Sequence, residues 1–419
     1  MNPILIVAAL AAQVGAPSGN AKSTEKAAAK PSFGQTTYLD IEAGAGYSSN
    51  PNLSIINDEG GAFGRISLHA VHSRASARTS TLISAYAENV SYTNGINSQQ
   101  SASLSAHHDA AVSEHVRIFA DITGSYQEGG QLGTRVLTVP SIPPLPGETP
   151  GPPILAPGTG DFLSVTGRTL TLAGHGGGTF ALSQHDSMSI SSGVDHVVFR
   201  NGDVRTTYTT VPVSLGYDRQ LSERTTVGAR IAAQNIEYHG TESTRREITR
   251  VITPQLTGHM QLAPRITLDG ALGVSFARFD NGLFVSHSTG LSTQVSLCGE
   301  GETSHFCGHF AVDEQTATTA GPTRSIGGGL DYTKQLDANQ AISLSAGVTH
   351  YSSPMSIVTS RIFAASTYYH AAASYSRHLG SRLFSGVNLS ARDVTQNGPH
   401  PKADLSASLF IRYHLGDIQ

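Results

Sequence analysis

The feature that most constrains this chain is an alternation of side-chain character, with a period of two residues, that recurs in many segments. In the final segment the apolar or aromatic positions are Leu405, Ala407, Leu409, Ile411, Tyr413 and Leu415, and between them lie Ser406, Ser408, Phe410, Arg412 and His414. A helix would scatter these two sets around its surface, whereas a strand directs each set to its own face. Further segments of this kind begin at Ser101, Val116, Ser187, Thr226, Ile266 and Ala341. The pattern predicts long strands with one apolar and one polar face.

Short turns of similar character separate many of these segments. They read VSEHV (112–116), LSQHDS (182–187), LSERTTV (221–227), LAPRITL (262–268), LDANQAI (336–342) and LGSRLF (379–384). Successive turns lie about 40 residues apart, or about 70 where one longer insertion intervenes. A unit of this length holds two strands, one short turn and one longer loop, which is the hairpin of a transmembrane barrel.

This spacing predicts about sixteen strands, although fourteen or eighteen also fit. The expected ranges are 37–47, 61–73, 77–91, 100–112, 116–127, 163–181, 187–199, 204–220, 225–239, 246–262, 266–279, 324–335, 341–351, 361–378, 383–394 and 403–416. An even number of strands places both ends of the barrel domain on the same side of the membrane.

The amino-acid composition favours strands that have one water-facing side and one apolar side. Apolar residues make up 38% of the 419 residues, which is low for a globular core, yet charged residues are only 14% and the formal net charge is −4. Intrinsic disorder normally brings a higher net charge. The near-neutral balance gives no general attraction to nucleic acid. No apolar run reaches the roughly 18–20 residues that a membrane helix needs.

Closure of the sheet follows from the cost of unpaired backbone groups. In lipid each unmet N–H or C=O group costs several kcal/mol, so a sheet of this size must join its two edges. The alternative is a soluble β-sandwich or β-propeller, but such folds use much shorter strands. The predicted fold class is therefore all-β, a transmembrane antiparallel up-and-down β-barrel with short periplasmic turns and longer extracellular loops.

Trp is absent, and eleven tyrosines near predicted strand ends are expected to form the interfacial girdles instead: Tyr47, Tyr86, Tyr126, Tyr208, Tyr217, Tyr238, Tyr332, Tyr351, Tyr369, Tyr375 and Tyr413.

The chain divides into three predicted regions. Residues 1–21 contain a short apolar run followed by small residues and are expected to be a signal peptide. Residues 22–36 are rich in Ala and Lys and are expected to be a periplasmic linker. Residues 37–419 form the barrel, with long extracellular loops near 128–162, which is rich in Pro, and near 280–322, which holds both cysteines.

Several motifs resemble those of the β-barrel porin families of Gram-negative bacteria. They are the leucine-led turns QLSERTTV (220–227) and QLAPRITL (261–268), the early segment GYSSNPNLS (46–54) and a final strand that ends in IRYHLG (411–416). The resemblance covers nearly the whole mature chain. It indicates the barrel architecture more than the identity of the transported solute. Some members of such families are encoded with exopolysaccharide export systems. The resemblance implies an outer-membrane pore or export channel for small solutes or polysaccharide.

Charged residues on the predicted polar faces are candidates for lining the pore. Strand parity selects Arg65, Arg117, Asp121, Arg230, Asp269 and Arg412. Rings of charge set solute selectivity in pores, although each of these residues is more simply explained as part of a solvated wall. Because the signs are mixed, strong ion selectivity is not expected.

The two cysteines, Cys298 and Cys307, are predicted to form a disulfide in an oxidising compartment. His305 and His309 lie beside them, which leaves a metal site as the alternative, but the spacing matches no standard pattern. No metal and no cofactor are predicted.

Catalysis is the weakest of the alternatives. His196 beside Asp195 and His400 near Asp393 could be taken for catalytic pairs, but His, Ser and Asp are abundant and no hydrolase motif is present. The chain is predicted not to be an enzyme.

A second alternative is a surface-display barrel that binds a partner through its long loops. The expected partners are outer-membrane lipid, the outer-membrane assembly machinery, and polysaccharide or components of an export complex.

Overall fold

A computed structural model describes residues 34–53, 59–93, 98–128, 167–201, 204–240, 247–282, 285–317, 321–352, 365–396 and 400–417. Within these residues the chain forms eighteen strands and no helix that could span a membrane. The strands are β1 (Gln35–Ser48), β2 (Gly61–Ala75), β3 (Thr79–Tyr92), β4 (Gln99–Ala111), β5 (Val116–Glu128), β6 (Arg168–Ala181), β7 (Asp186–Asn201), β8 (Val204–Ser222), β9 (Thr225–Gly240), β10 (Glu247–Ala263), β11 (Ile266–Asp280), β12 (Val285–Glu300), β13 (Ser304–Ala317), β14 (Gly321–Asp337), β15 (Gln340–Ser352), β16 (Ala365–His378), β17 (Leu383–Gln396) and β18 (Asp404–Gly416).

The strands form one closed antiparallel sheet. Each strand pairs with the next in sequence, and β1 pairs with both β2 and β18, so the sheet has no free edge. The shortest strands have 13 residues, which gives about 43 Å of strand and covers about 30 Å of bilayer at a tilt of about 45°. The predicted up-and-down barrel is confirmed, and the eighteen strands are two more than the central expectation.

The two ends of the barrel differ in the length of their connections. All six predicted turns lie at one end, together with Gln35 and Gly416, which begin the first strand and end the last. Three strands at this end carry a register shift just before a two-residue turn, at Gln220–Ser222, Gln261–Ala263 and Gln335–Asp337. A bulge of this kind tightens the twist that a short hairpin needs. Short turns identify the periplasmic end of such barrels.

The segment 280–322 corrects the sequence prediction. It contains β12 and β13 instead of a long loop, and Cys298 and Cys307 lie beside the short β12–β13 turn at the periplasmic end rather than outside the cell. These strands were missed because their outward face includes His287 and Thr289 among its apolar residues, which weakens the alternation.

The distribution of burial is the reverse of that in a water-soluble protein. On β18 the outward side chains Leu405, Leu409 and Ile411 are 62%, 65% and 57% exposed, whereas Asp404 and Arg412 on the inward face are 0% and 4% exposed. Exposed Leu, Ile, Val and Phe side chains recur on the outward face around the sheet. An apolar exterior of this extent is stable only against lipid. The protein is therefore a membrane-spanning barrel of the outer-membrane type, and the predicted location in the outer membrane is confirmed.

Tyrosine supplies the interfacial anchors. Tyr47 and Tyr369 are exposed on the outer surface toward the long-loop end, and Tyr217 and Tyr413 toward the short-turn end. Aromatic side chains at these two levels match the lipid headgroup regions. The expectation was wrong for four tyrosines whose strand parity directs them inward: Tyr86, Tyr208, Tyr238 and Tyr351.

Three predicted features lie outside the described residues. They are the signal peptide at 1–21, nearly all of the linker at 22–36, and the Pro-rich loop near 128–162, which connects β5 to β6.

Candidate functional site: the barrel lumen

The inner face of the barrel is lined mainly by small polar side chains. On β4 and β7, for example, the inward positions include Ser103, Ser105, Ser189 and Ser191. Because neighbouring strands pair residue to residue, the inward parity of one strand fixes that of the next around the whole ring. The sequence places hydroxyl groups along the wall wherever a strand alternates between Ser or Thr and an apolar residue.

The register directs all six sequence-predicted pore-lining residues toward the lumen, but it divides them among different environments. Arg65 and Arg412 belong to one buried ion cluster, Asp121 and Asp269 pair with histidines, and Arg230 lines the central cavity. Arg117 is exposed near the periplasmic end. Their role in selectivity stays a prediction.

The first ion cluster lies across the closure between β18 and β1. Glu42 accepts hydrogen bonds from Nε and Nη2 of Arg412 at 3.1 and 2.9 Å and forms an ion pair with Arg65. On β3, Glu88 accepts a hydrogen bond from the hydroxyl of Tyr86 at 2.5 Å. Glu42 and Arg412 are each 4% exposed, so these charges neutralise one another inside the wall.

A second cluster lies at the extracellular end of the same closure. Asp404 is 0% exposed and accepts hydrogen bonds from Ser48 Oγ at 2.6 Å, from the backbone N–H of Asn50 at 2.9 Å and from Arg392 Nε at 3.1 Å. The side chain of Asn50 donates in turn to the carbonyl of Lys402 at 2.8 Å. This cluster fixes the start of the β1–β2 connection against the start of β18.

Pairs of histidine and aspartate on the inner face form a pattern that sequence reasoning missed. Each pair joins adjacent strands: His107–Asp121 at 2.6 Å, His175–Asp195 at 3.0 Å, His259–Asp269 at 2.6 Å, His309–Asp331 at 3.7 Å and His414–Asp40 at 2.7 Å. The inward parity of both residues is readable from the sequence. The pairing itself depends on the strand register, which the sequence does not specify.

A cavity lies in the lumen, and its empty space together with the open solvent that it joins is about 1410 Å³. Side chains from ten strands, β6 to β10 and β12 to β16, line it. Within this lining Arg230 donates to the side-chain oxygen of Gln255, from Nε at 3.1 Å and from Nη2 at 2.5 Å, and Gln255 donates to Ser292 Oγ at 2.9 Å. These three side chains form an ordered polar patch within a lining that also contains Ala, Val and Tyr side chains.

Apolar side chains narrow the extracellular half of the lumen between β7 and β11. Val197, Phe199, Ile236 and Phe279 face inward near the extracellular ends of their strands and are at most 6% exposed. The rings of Tyr208 and Tyr238, whose centroids are 5.6 Å apart, also face inward on β8 and β9. This inward apolar cluster occupies part of the extracellular half of the lumen.

The histidine pairs considered for catalysis are not assembled by the fold. His196 faces outward and contacts Thr209 Oγ1 through Nδ1 at 3.0 Å, whereas Asp195 faces inward. His400 contacts the carbonyl of Pro401, and Asp393 accepts from the N–H of Val394. Neither pair has the contact that a catalytic dyad requires.

Cys298 and Cys307 face each other across the β12–β13 hairpin with their Cα atoms 4.1 Å apart, and they are joined as a disulfide. The fold thus brings the two predicted partners together. Of the two neighbouring histidines, His309 pairs with Asp331, and no group of three metal-ligating side chains occurs among the described residues.

No protein-family model matches this sequence, and no curated protein matches it. Among solved structures, the chain is similar to the FrpB iron transporter from Neisseria meningitidis, with a TM-score of 0.47 and 10% identity over 86% of this chain and 62% of that one. It is also similar to the siderophore receptor PirA from Pseudomonas aeruginosa, with a TM-score of 0.42 and 10% identity over 90% and 80% of the two chains. The chain thus spans about three fifths of the FrpB chain. At this level of similarity the likeness assigns neither a family nor a substrate, and the porin and polysaccharide-export assignments stay predictions.

Proposed function

We propose that the protein is an outer-membrane channel that lets small hydrophilic solutes pass by diffusion. The observation that carries this proposal is the solvent-connected cavity inside the closed wall, which ten of the eighteen strands line. A lumen filled by an apolar core would serve stability alone, whereas this one has Ser, Thr, Gln, His and Arg side chains among the Ala, Val and Tyr side chains of its lining.

The inward apolar cluster favours small solutes over a polymer. Phe199, Ile236 and Phe279 occupy the extracellular half of the lumen, so a polysaccharide chain would have to displace packed side chains. Monosaccharides, disaccharides and hydrated ions do not impose this requirement. Polysaccharide export is the alternative function, and the dependence of entry rate on solute size distinguishes it from diffusion of small solutes.

Two measurements on the purified, refolded barrel test the proposal. In planar lipid bilayers bathed in potassium chloride solution, the protein should produce discrete conductance steps. In a liposome-swelling assay, monosaccharides should enter faster than trisaccharides, and long dextrans should be excluded. A barrel that is folded by heat-modifiability on gels but gives neither conductance nor swelling would contradict the proposal, and entry of dextran at the monosaccharide rate would favour polymer transport.

The position of the constriction is testable separately. Replacing Phe279→Ala should increase single-channel conductance and raise the size limit in swelling, because it removes a ring from the inward apolar cluster. Phe276→Ala is the matched control, since Phe276 is 52% exposed on the outward face of the same strand. An equal effect of the two substitutions would show that the constriction lies elsewhere.

A further inference from the structure

The inner face of the barrel carries many more carboxylates than cationic groups. By strand register, five arginines of the described strands face inward: Arg65, Arg117, Arg230, Arg392 and Arg412. The inward carboxylates, leaving out Glu300 at the exposed end of β12, are twelve: Asp40, Glu42, Glu88, Asp109, Asp121, Asp195, Asp218, Glu247, Asp269, Asp313, Asp331 and Asp404. With histidine neutral, seven negative charges remain in excess on this face, compared with −4 for the whole chain.

Three of the five inward arginines are bound to carboxylates at the barrel closure. Arg65, Arg392 and Arg412 are bound to the three carboxylates of the two ion clusters, Glu42, Glu88 and Asp404. The rest of the inner face therefore has nine carboxylates and two arginines. Its negative charge is distributed around the ring and is not confined to the closure.

Histidine pairing leaves most of the remaining charge in place. Six of the nine carboxylates have a histidine partner: Asp40, Asp109, Asp121, Asp195, Asp269 and Asp331. A neutral imidazole can donate a hydrogen bond to a carboxylate without cancelling its charge. In four of these pairs, those of Asp40, Asp109, Asp121 and Asp269, a hydrogen bond from the histidine orients the carboxylate on the wall. The lumen stays negative whenever the imidazoles are neutral.

One of these carboxylates, Asp195, is buried without a hydrogen-bond donor among the described residues. Asp195 is 1% exposed, and neither of its carboxylate oxygens accepts a hydrogen bond within the described part of the chain. Its neighbour His175, with Nε2 at 3.0 Å from Asp195 Oδ1, lines the cavity. A buried carboxylate without donors is costly, and a cation in the adjacent cavity lowers that cost.

We infer that the lumen selects cations over anions, so that hydrated metal cations and small cationic solutes are its preferred cargo. The inference rests on the proposed channel function and adds selectivity to it. Acidic walls in a narrow, low-dielectric channel raise the local cation concentration and repel anions. The mixed signs along the sequence hide this excess, because the register shows that most basic residues lie outward or in turns.

The test is the reversal potential of the wild-type channel between unequal potassium chloride solutions at neutral pH. The expected permeability ratio of potassium to chloride is roughly three or more, since a wall potential of about one kT already changes ion concentrations by this factor. A ratio of one or below overturns the inference while leaving the channel function intact. A protein that gives no current at all contradicts the proposed function itself, so the two failures are distinguishable.

Charge variants make the test independent of wild-type behaviour. The double variant Asp218→Asn/Asp269→Asn should lower the permeability ratio, and Arg230→Gln should raise it, because the two changes alter the lumen charge in opposite directions. Asp393→Asn removes a carboxylate from the outward face of β17 and should leave the ratio unchanged. The inference fails if Asp393→Asn shifts the ratio as much as the lumen variants do, or if the two lumen variants shift it in the same direction.

Discussion

At the scale of single side chains, Asp404 is a central contact of the barrel closure. It is fully buried, and two other segments donate hydrogen bonds to it, the end of β1 through Ser48 and Asn50 and β17 through Arg392. Breaking a buried ion pair from one side leaves an uncompensated charge, which costs more than the pair contributes as a whole. The residue therefore holds the last strand to the first.

Removing this carboxylate should weaken the closure of the barrel. Asp404→Ala leaves Arg392 buried without its counter-ion and is expected to cost about 3–5 kcal/mol of unfolding free energy. Urea unfolding in lipid vesicles, followed by tryptic protection, measures the loss. The double variant Asp404→Leu/Arg392→Met removes both charges and should recover much of it; a double variant as unstable as Asp404→Ala would show that the ion pair is not the cause.

Glycine requirements differ between neighbouring positions of the wall. A Cβ atom at Gly193 would lie 2.6 Å from the carbonyl oxygen of Gly174 and would also meet the ring of His175, whereas a Cβ atom at Gly174 would have no neighbour within 4 Å. Gly193→Ala should therefore destabilise the barrel by about 1–3 kcal/mol, as overpacking does. Gly174→Ala should be nearly neutral in the same urea titration. Equal stability of the two variants would contradict the close packing at Gly193.

For single residues, strand parity in the sequence was sufficient to place Arg65, Asp121 and Arg412 on the inner face. It could not identify their partners, because a partner depends on which residue lies opposite on the next strand. The pair His414–Asp40, for instance, joins residues 374 positions apart. Such contacts exist only once the barrel is closed.

Individual strands are specified by their outward faces. β18 was predicted within a few residues because every outward position is apolar or aromatic, from Leu405 to Leu415. β12 and β13 were missed because polar residues interrupt their outward faces, so composition pointed to a loop. Lipid contact tolerates such residues best near the strand ends, which weakens any prediction that requires unbroken alternation.

The two faces of β18 should respond oppositely to a new charge. Leu409 lies at the middle of the strand, outward and 65% exposed, so Leu409→Arg places a guanidinium in the hydrocarbon at a cost of about 2–4 kcal/mol. Ser408→Arg places the same group on the water-filled side. Refolding yield and urea midpoint in vesicles should fall for Leu409→Arg and change much less for Ser408→Arg. The reverse order would mean that the parity of β18 is inverted.

The β12–β13 hairpin provides a direct check of orientation. An epitope inserted in the turn after Gly301 should be reached by antibody only after the outer membrane is permeabilised, because short turns are periplasmic. An epitope after Gly282, in the connection between β11 and β12 at the opposite end, should be reached on intact cells. Exchange of these two results would invert the assigned orientation of the barrel and return the cysteines to the cell surface.

The barrel as a whole combines a lipid-facing exterior with an acidic, water-lined interior. Length, turn spacing and alternation were enough to predict a closed transmembrane sheet. The strand number could not be read in the same way, because polar residues interrupt the outward faces of β12 and β13. The excess of acid on the inner face emerges only when the parity of every strand is combined. Closure itself buries residues such as Glu42 and Arg412, which are far apart in the sequence and neutralise each other only in the ring.

The central physical arrangement of the barrel is that alternate residues of each strand face lipid and water. Substituted-cysteine labelling along β18 tests it most directly, using a background with Cys298→Ser/Cys307→Ser and the barrel folded in vesicles. A small, charged, membrane-impermeant maleimide should label cysteines at positions 406 and 408 and leave those at 407 and 409 unlabelled, giving a period of two. Labelling of all four positions, or of none before denaturation, would contradict a water-filled lumen inside a lipid-facing barrel.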